Sequence, residues 1–198
     1  NGFLENADIK VLPASSTSVA RAQPDSQGLW NFSTVGDPNH QLGQLMAYYW
    51  ISQEKQKATS LLPNSWHPTA KSVSIYSYCY DANAGFSSGY NAYWSGLGGN
   101  NVCMCYIENL ETAYDASLYL HEMGHANVDY ATNGAMTQNP TYVACTGTNG
   151  ICCPTVDGCG PAINEGQADV HSQMVFDSGP VAEFFWNDMN GIKGRNAE

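Results

Sequence analysis

The sequence has few basic residues, and none at all across its central part. Its 198 residues include 7 Lys and Arg against 18 Asp and Glu, which gives a formal net charge of −11. No Lys or Arg lies between Lys71 and Lys193, although that stretch contains 12 Asp and Glu residues. A surface without cations cannot neutralise phosphate groups, so nucleic acid and anionic membranes are poor partners. Divalent cations are compatible with this charge.

Long apolar runs and internal repeats are also missing. No stretch approaches the ~18 consecutive apolar residues that suggest a membrane-spanning helix, so we expect no membrane span. The hydrophobic content of 43% and the aromatic content of 12% nevertheless exclude a disordered chain. The length suits one globular domain, or one domain with an extension.

The seven cysteines do not form the paired C-x-x-C knuckles of a structural metal cluster. Four of them fall within residues 145–159. This pattern favours a disulfide framework formed in an oxidising compartment, and therefore a secreted or extracellular protein. Cys103 and Cys105 share one face of a predicted strand, which fits two disulfides better than a bound metal. The odd count leaves one thiol free or paired with a partner outside the chain.

Hydrophobic periodicity divides the chain into strands followed by helices, which favours an α+β fold. Residues 1–40 are predicted to be an extended segment of loops and short strands. A helix is predicted from residue 41 to the turn at 62–65, with an apolar face and then a polar end (Leu42, Leu45, Met46, Tyr49 and Trp50; then Glu54, Lys55 and Lys57). Strands are predicted at 72–80, 91–95 and 102–107, and helices at 111–130 and 162–175.

The second predicted helix contains an H-E-x-x-H sequence, formed by His121, Glu122 and His125. At about 100° per residue, the two histidines differ by about 40° and project from one face, about one turn apart. Their ring nitrogens can therefore meet a single Zn²⁺. Glu122 lies about 100° around the helix, where its carboxylate can act as a general base on a metal-bound water. The spacing predicts a catalytic zinc site.

A catalytic zinc needs a third protein ligand and an open fourth position. The metzincin solution requires Gly and His where this chain has Val128 and Ala131, so that class is excluded. A carboxylate on a second helix is the remaining common solution, and Glu165 in the predicted helix 162–175 offers one. An aspzincin-type site with another carboxylate, such as Asp157, stays open as an alternative.

Three segments of the chain resemble the thermolysin-like gluzincin metallopeptidases. Residues 121–130, HEMGHANVDY, are similar to that family's H-E-x-x-H-A-x-x-D-Y. Residues 163–169, INEGQAD, are similar to I-N-E-x-x-x-D, and residues 91–96, NAYWSG, to the edge-strand motif N-A-[FY]-W-x-G. The resemblance covers roughly residues 38–176, and its motifs are specific in combination.

The resemblance implies a zincin-like fold and a division of the chain into four parts. An N-terminal extended segment (1–40) precedes a mixed or antiparallel sheet, whose edge strand packs on the zinc-binding helix (41–131). A cysteine-rich insertion (132–161) then leads to the third-ligand helix and a truncated C-terminal part (162–198).

The resemblance also implies roles for individual residues. His121, His125 and Glu165 would bind one catalytic zinc, with Glu122 as the general base. Two residues of the predicted helix 162–175 would support the histidines, Asp169 by orienting one ring and Asn164 by hydrogen bonding near the other. The edge strand would bind an extended peptide through Asn91, Ala92 and Trp94.

The chain departs from the family beyond the third ligand. The sequence ends 33 residues after Glu165, so we expect it to lack the helical lobe that supplies the family's oxyanion His and an Arg. We expect either a lost segment or second chain that completes the site, or a compact enzyme. The family often binds calcium, for which Asp115, Glu183 and Asp188 are candidates without EF-hand spacing.

The expected function is therefore a secreted zinc metalloendopeptidase, a hydrolase acting on peptide or protein substrates. The alternative is a disulfide-rich binding or adhesion domain that contains zinc without catalysing a reaction. An intact general base argues against the alternative, because a binding module gains nothing from Glu122.

Overall fold

A computed structural model of the chain describes residues 4–12, 26–27, 41–61, 72–79, 92–96, 100–107, 110–134 and 159–176. These residues form a mixed α and β structure, as the sequence predicted. The strands are β1 (Ile9–Leu12), β2 (Val73–Cys79), β3 (Ala92–Trp94), β4 (Asn101–Ile107) and β5 (Leu110–Glu111). The helices are α1 (Gln41–Leu61), α2 (Ala116–Thr132) and α3 (Cys159–Phe176).

The described strands form one mixed sheet in the order β1-β2-β4-β3. Strand β2 pairs in parallel with both β1 and β4, whereas β3 and β5 pair with β4 in the antiparallel direction. Strand β3 thus lies at the end of this order, in agreement with the predicted edge strand. On β4, Cys103 is buried and disulfide-bonded. Cys105 lies on the same strand, but its side chain is outside the described residues.

The core lies between the sheet and the helices. Val73 and Ile75 of β2 are buried, as their period of two predicted. From α2, the side chain of Tyr119 is fully buried, and its hydroxyl donates to the carbonyl of Gly43 in α1 at 3.0 Å. Helices α1 and α2 are therefore joined by both apolar packing and a long-range hydrogen bond.

The buried face of α1 differs from the prediction. Tyr49, predicted to be apolar core, is 55% exposed, while Glu54, predicted on a polar end, is 0% exposed. The buried stripe consists of Ala47, Ile51, Glu54 and Ala58, which follow one another at helical spacings of four, three and four residues. The prediction was wrong because it followed the largest apolar side chains, whereas the buried stripe is made of two alanines, one isoleucine and one acid.

Helix α2 begins later than the predicted helix 111–130. Leu110–Glu111 pairs with β4, and a 3₁₀ turn (Thr112–Tyr114) follows before the helix starts. Asp115 caps the helix by accepting a hydrogen bond from the backbone N–H of Ser117 at 3.0 Å. The carboxylate of Asp115, a predicted calcium candidate, therefore has a capping role. Glu183 and Asp188 lie outside the described residues.

Helix α3 begins three residues before its predicted start and packs closely on α2. The two helices approach closely at Gly124, where a Cβ atom would come within 2.6 Å of the Cα of Ala168. Only glycine allows the two helices to lie this near each other. Most of the predicted cysteine-rich insertion is outside the described residues. None of the described helices is long and apolar enough to cross a membrane.

Candidate metal centre

Helix α2 presents His121 and His125 side by side, as the spacing predicted. Both side chains are buried, and their rings meet edge to face with centroids 4.6 Å apart. The two Nε2 atoms are 3.0 Å apart. The ring nitrogens therefore converge on one point beside the helix.

Helix α3 brings Glu165 to the same point. Its Oε2 lies 3.3 Å from Nε2 of His121, and its Oε1 lies 3.5 Å from Nε2 of His125. Zn–ligand bonds of ~2.0–2.1 Å in a tetrahedron separate neighbouring ligand atoms by about 3.3–3.4 Å. The three separations of 3.0, 3.3 and 3.5 Å lie close to this edge length, so the residues are compatible with a zinc ion. The side chain of Glu165 is 49% exposed, whereas both histidines are buried.

The second nitrogen of His121 faces a carboxylate of α3. Its Nδ1 lies 2.7 Å from Oδ1 of Asp169, which is itself buried. Such a carboxylate fixes the tautomer and orientation of a metal-binding histidine and raises its basicity. Asn164 is buried beside His125 and favours the charged form of that ring. Asp169 therefore lies beside one histidine and Asn164 beside the other.

The two rings differ in their affinity for protons. Burial alone would lower the pKa of His121, but hydrogen bonding to Asp169 and Glu165 and the charge of Glu122 outweigh it and raise the pKa to about 9. Burial and the neighbouring charge of His121 lower the pKa of His125. In the metal-free protein near neutral pH, the pair therefore holds one positive charge among three carboxylates. The negative charge of these carboxylates also favours a bound cation.

Glu122 lies next to the ligand atoms. It is buried, and its carboxylate lies within 4.8 Å of the ring nitrogens of His121 and His125. This distance allows contact with a small molecule held between the two histidines. The position is compatible with a general base.

The edge strand is attached to the C-terminal half of α2. The indole Nε1 of Trp94 donates to Oδ2 of Asp129 at 2.7 Å, and Asp129 is fully buried. The ring of Trp94 also packs against Tyr130, with centroids 6.1 Å apart. Trp94 therefore joins β3 to the histidine helix, and its role in substrate binding stays a prediction.

Of the other two predicted substrate-binding residues, Ala92 and Asn91, the structure describes only Ala92. Ala92 is buried on β3 and pairs with Met104 of β4. Asn91 lies outside the described residues. Peptide binding along this edge is not tested by these contacts.

Sequence reasoning missed a second polar cluster, formed by Glu54, Asn127 and His171. The burial of Glu54 could have been predicted from its position, because Glu54 continues the stripe of Ala47 and Ile51 at helical spacing. His171 contacts Glu54 and Asn127, and its position about 240° around α3 from Glu165 places it away from the candidate ligand face.

Comparisons with known proteins give no information on function, so the functional argument depends on the site itself. No family model matches the chain, and no curated protein matches it.

Proposed function

We propose that the chain is a zinc-dependent endopeptidase of the gluzincin type with a zincin-like fold. One observation carries the proposal: the Nε2 atoms of His121 and His125 and the carboxylate of Glu165 are separated by 3.0, 3.3 and 3.5 Å. These residues come from two helices, and their separations lie close to the edge length of a zinc tetrahedron. Three protein ligands leave a fourth position for water or substrate, as catalytic zinc sites require.

Each residue of the centre has a separate role in the proposed hydrolysis. Zinc held by His121, His125 and Glu165 would supply the Lewis acidity that lowers the pKa of water towards ~7 and polarises the scissile carbonyl. Glu122 takes the proton from the attacking water and passes it to the nitrogen of the leaving amine. Asp169 holds the His121 ring so that Nε2 faces Glu165.

The adjoining edge strand supports a peptide as substrate. An extended chain can add to an exposed sheet edge by main-chain hydrogen bonding. Strand β3 lies at the end of the described strand order and is joined to α2 by Trp94. We propose that Asn91, Ala92 and Trp94 hold substrate there. The acidity of the central stretch would favour basic peptides, and its cysteines fit a secreted protein.

Replacement of Glu122 tests the proposal. Glu122→Gln keeps the size of the side chain but removes the base, so it should abolish peptide hydrolysis while zinc stays bound. Turnover of a generic protein substrate should be measured with and without a chelator, and zinc content by metal analysis. Unchanged turnover in this variant would exclude the mechanism. Zinc binding without any hydrolysis by the native chain would favour a non-catalytic binding domain.

A further inference from the structure

A single carboxylate oxygen of α1 contacts both helices that carry the candidate zinc ligands. Oε1 of Glu54 accepts a hydrogen bond from Nδ2 of Asn127 in α2 at 3.0 Å. Nε2 of His171 in α3 lies 2.9 Å from the same oxygen. The Asn127 and His171 nitrogens are 3.1 Å apart. We call these three residues the helix-junction cluster.

The burial of Glu54 makes these contacts energetically important. Its side chain is 0% exposed, whereas the next residue, Lys55, lies nearer the surface and pairs with Asp8. Burying a carboxylate is energetically unfavourable unless polar partners surround it. Among the described residues, Asn127 and His171 provide the polar contacts of Oε1 of Glu54. Keeping these contacts limits the relative positions of α2 and α3.

The cluster is connected to the metal centre through short helical segments. Asn127 follows the ligand His125 by two residues, and His171 follows Asp169, which faces His121, by two residues. Metal–ligand distances tolerate deviations of only about 0.2 Å. A small displacement of α3 against α2 would therefore move Glu165 out of the ligand set.

We propose that the helix-junction cluster is a positioning device for the metal centre. Glu54 fixes α3 against α2 and so sets the distance of Glu165 from His121 and His125. Gly124 fixes how closely the helices approach, and the cluster fixes how they are aligned. Buried hydrogen bonds that meet at one atom, here Oε1 of Glu54, restrict the relative positions of the groups that they join. The inference rests on the metal site of the proposed function, but not on hydrolysis.

Zinc affinity and the visible spectrum of bound Co²⁺ test the inference in the full chain. His171→Ala removes one partner of Glu54 and should weaken zinc binding about 10-fold, the lower end of the effect of groups that orient metal ligands. The Co²⁺ absorption bands should change as well, because the ligand geometry changes. His171→Gln restores an N–H donor and should recover most of the affinity and the native spectrum. Met174→Ala, an exposed change on the same helix, is the control.

The outcomes separate this inference from the proposed function. Native zinc affinity and a native Co²⁺ spectrum in folded His171→Ala would overturn the positioning role. If that variant does not fold, Glu54→Met, which keeps the length of the side chain but removes both acceptor oxygens, takes its place with the same criterion. A native chain that binds zinc without cleaving peptides would contradict only the endopeptidase. A native chain that binds no zinc would overturn both.

Discussion

Nδ1 of His121 lies 2.7 Å from Oδ1 of Asp169, although the two residues belong to different helices and are 48 positions apart. The contact leaves Nε2 of His121 facing Glu165. Carboxylate partners of metal-binding histidines typically change metal affinity by about 10–100-fold. We therefore expect Asp169→Asn to weaken zinc binding within this range.

The experiment is a competition titration of zinc against a chromogenic chelator. Gln167→Ala, on an exposed residue of the same helix, should leave the affinity unchanged. Equal zinc affinities for the native protein and Asp169→Asn would show that this carboxylate does not support the metal.

The identity of the third ligand can be tested by comparing two acids. Glu165 lies 3.3 and 3.5 Å from the two ring nitrogens, so Glu165→Ala should remove zinc from the protein after dialysis. Asp157→Ala should leave the zinc content intact, although Asp157 lies outside the described residues. The reverse result, measured by metal analysis of both variants, would favour the aspzincin-type alternative.

The close contact of Gly124 with Ala168 predicts a large effect of a single methyl group. In Gly124→Ala, the new Cβ would lie 2.6 Å from a backbone atom, so α2 and α3 must separate. We expect a destabilisation of about 1–3 kcal/mol from overpacking, together with weaker zinc binding.

Gly166 provides the matched control for this change. A Cβ atom there has no neighbour within 4 Å, so Gly166→Ala should raise stability by about 0.5–1 kcal/mol through helix propensity. The free energies of unfolding of the two variants, measured with urea, test both expectations. A stability of Gly124→Ala equal to that of Gly166→Ala would mean that the helices are not held at this distance.

The grouping of the candidate metal ligands was predictable from sequence because the spacing rules for residues on one helix are local. His121 and His125 lie one turn apart on one helix, and Glu165 and Asp169 are likewise one turn apart on another. The mixed α and β class followed from similar patterns, since Val73 and Ile75 show their period of two directly. Local periodicity therefore specified which residues share a face.

The helix-junction cluster was not predictable by the same reasoning. Glu54 is polar and follows large apolar side chains, so composition suggested a solvated helix end. Its burial depends on Asn127 and His171, which lie 73 and 117 positions away in sequence. No local sequence pattern predicts contacts between residues this far apart in the chain. The later start of α2 was missed for a related reason, because the pairing of β5 with β4 precedes the Asp115 cap.

The pKa of His121 predicts how the stability of the metal-free protein depends on pH. The pKa is raised from an ordinary value of 6.5 to about 9 in the folded chain. The folded state therefore binds this proton more tightly than the unfolded state. The resulting stabilisation is fully present below pH 6.5 and is lost as the pH rises towards 9, by about 3 kcal/mol at most.

His125 has the opposite effect on the pH dependence of stability, and its effect falls in a different pH range. Its lowered pKa means that the folded state resists protonation, so its effect is to decrease stability as the pH falls below about 6.5. The decline between pH 6.5 and 9 therefore belongs to His121. Urea unfolding of chelator-treated protein at several pH values should show this loss of stability. In Asp169→Asn the loss between pH 6.5 and 9 should be smaller.

Zinc should reverse this pH dependence. The metal competes with the proton on His121, so zinc affinity should increase as the pH rises towards 9. The stabilisation by a fixed excess of zinc should increase over the same range. Unfolding curves with and without zinc, compared at pH 6.5 and 9, measure both effects. A zinc stabilisation that does not grow with pH would show that the metal does not displace the proton of His121.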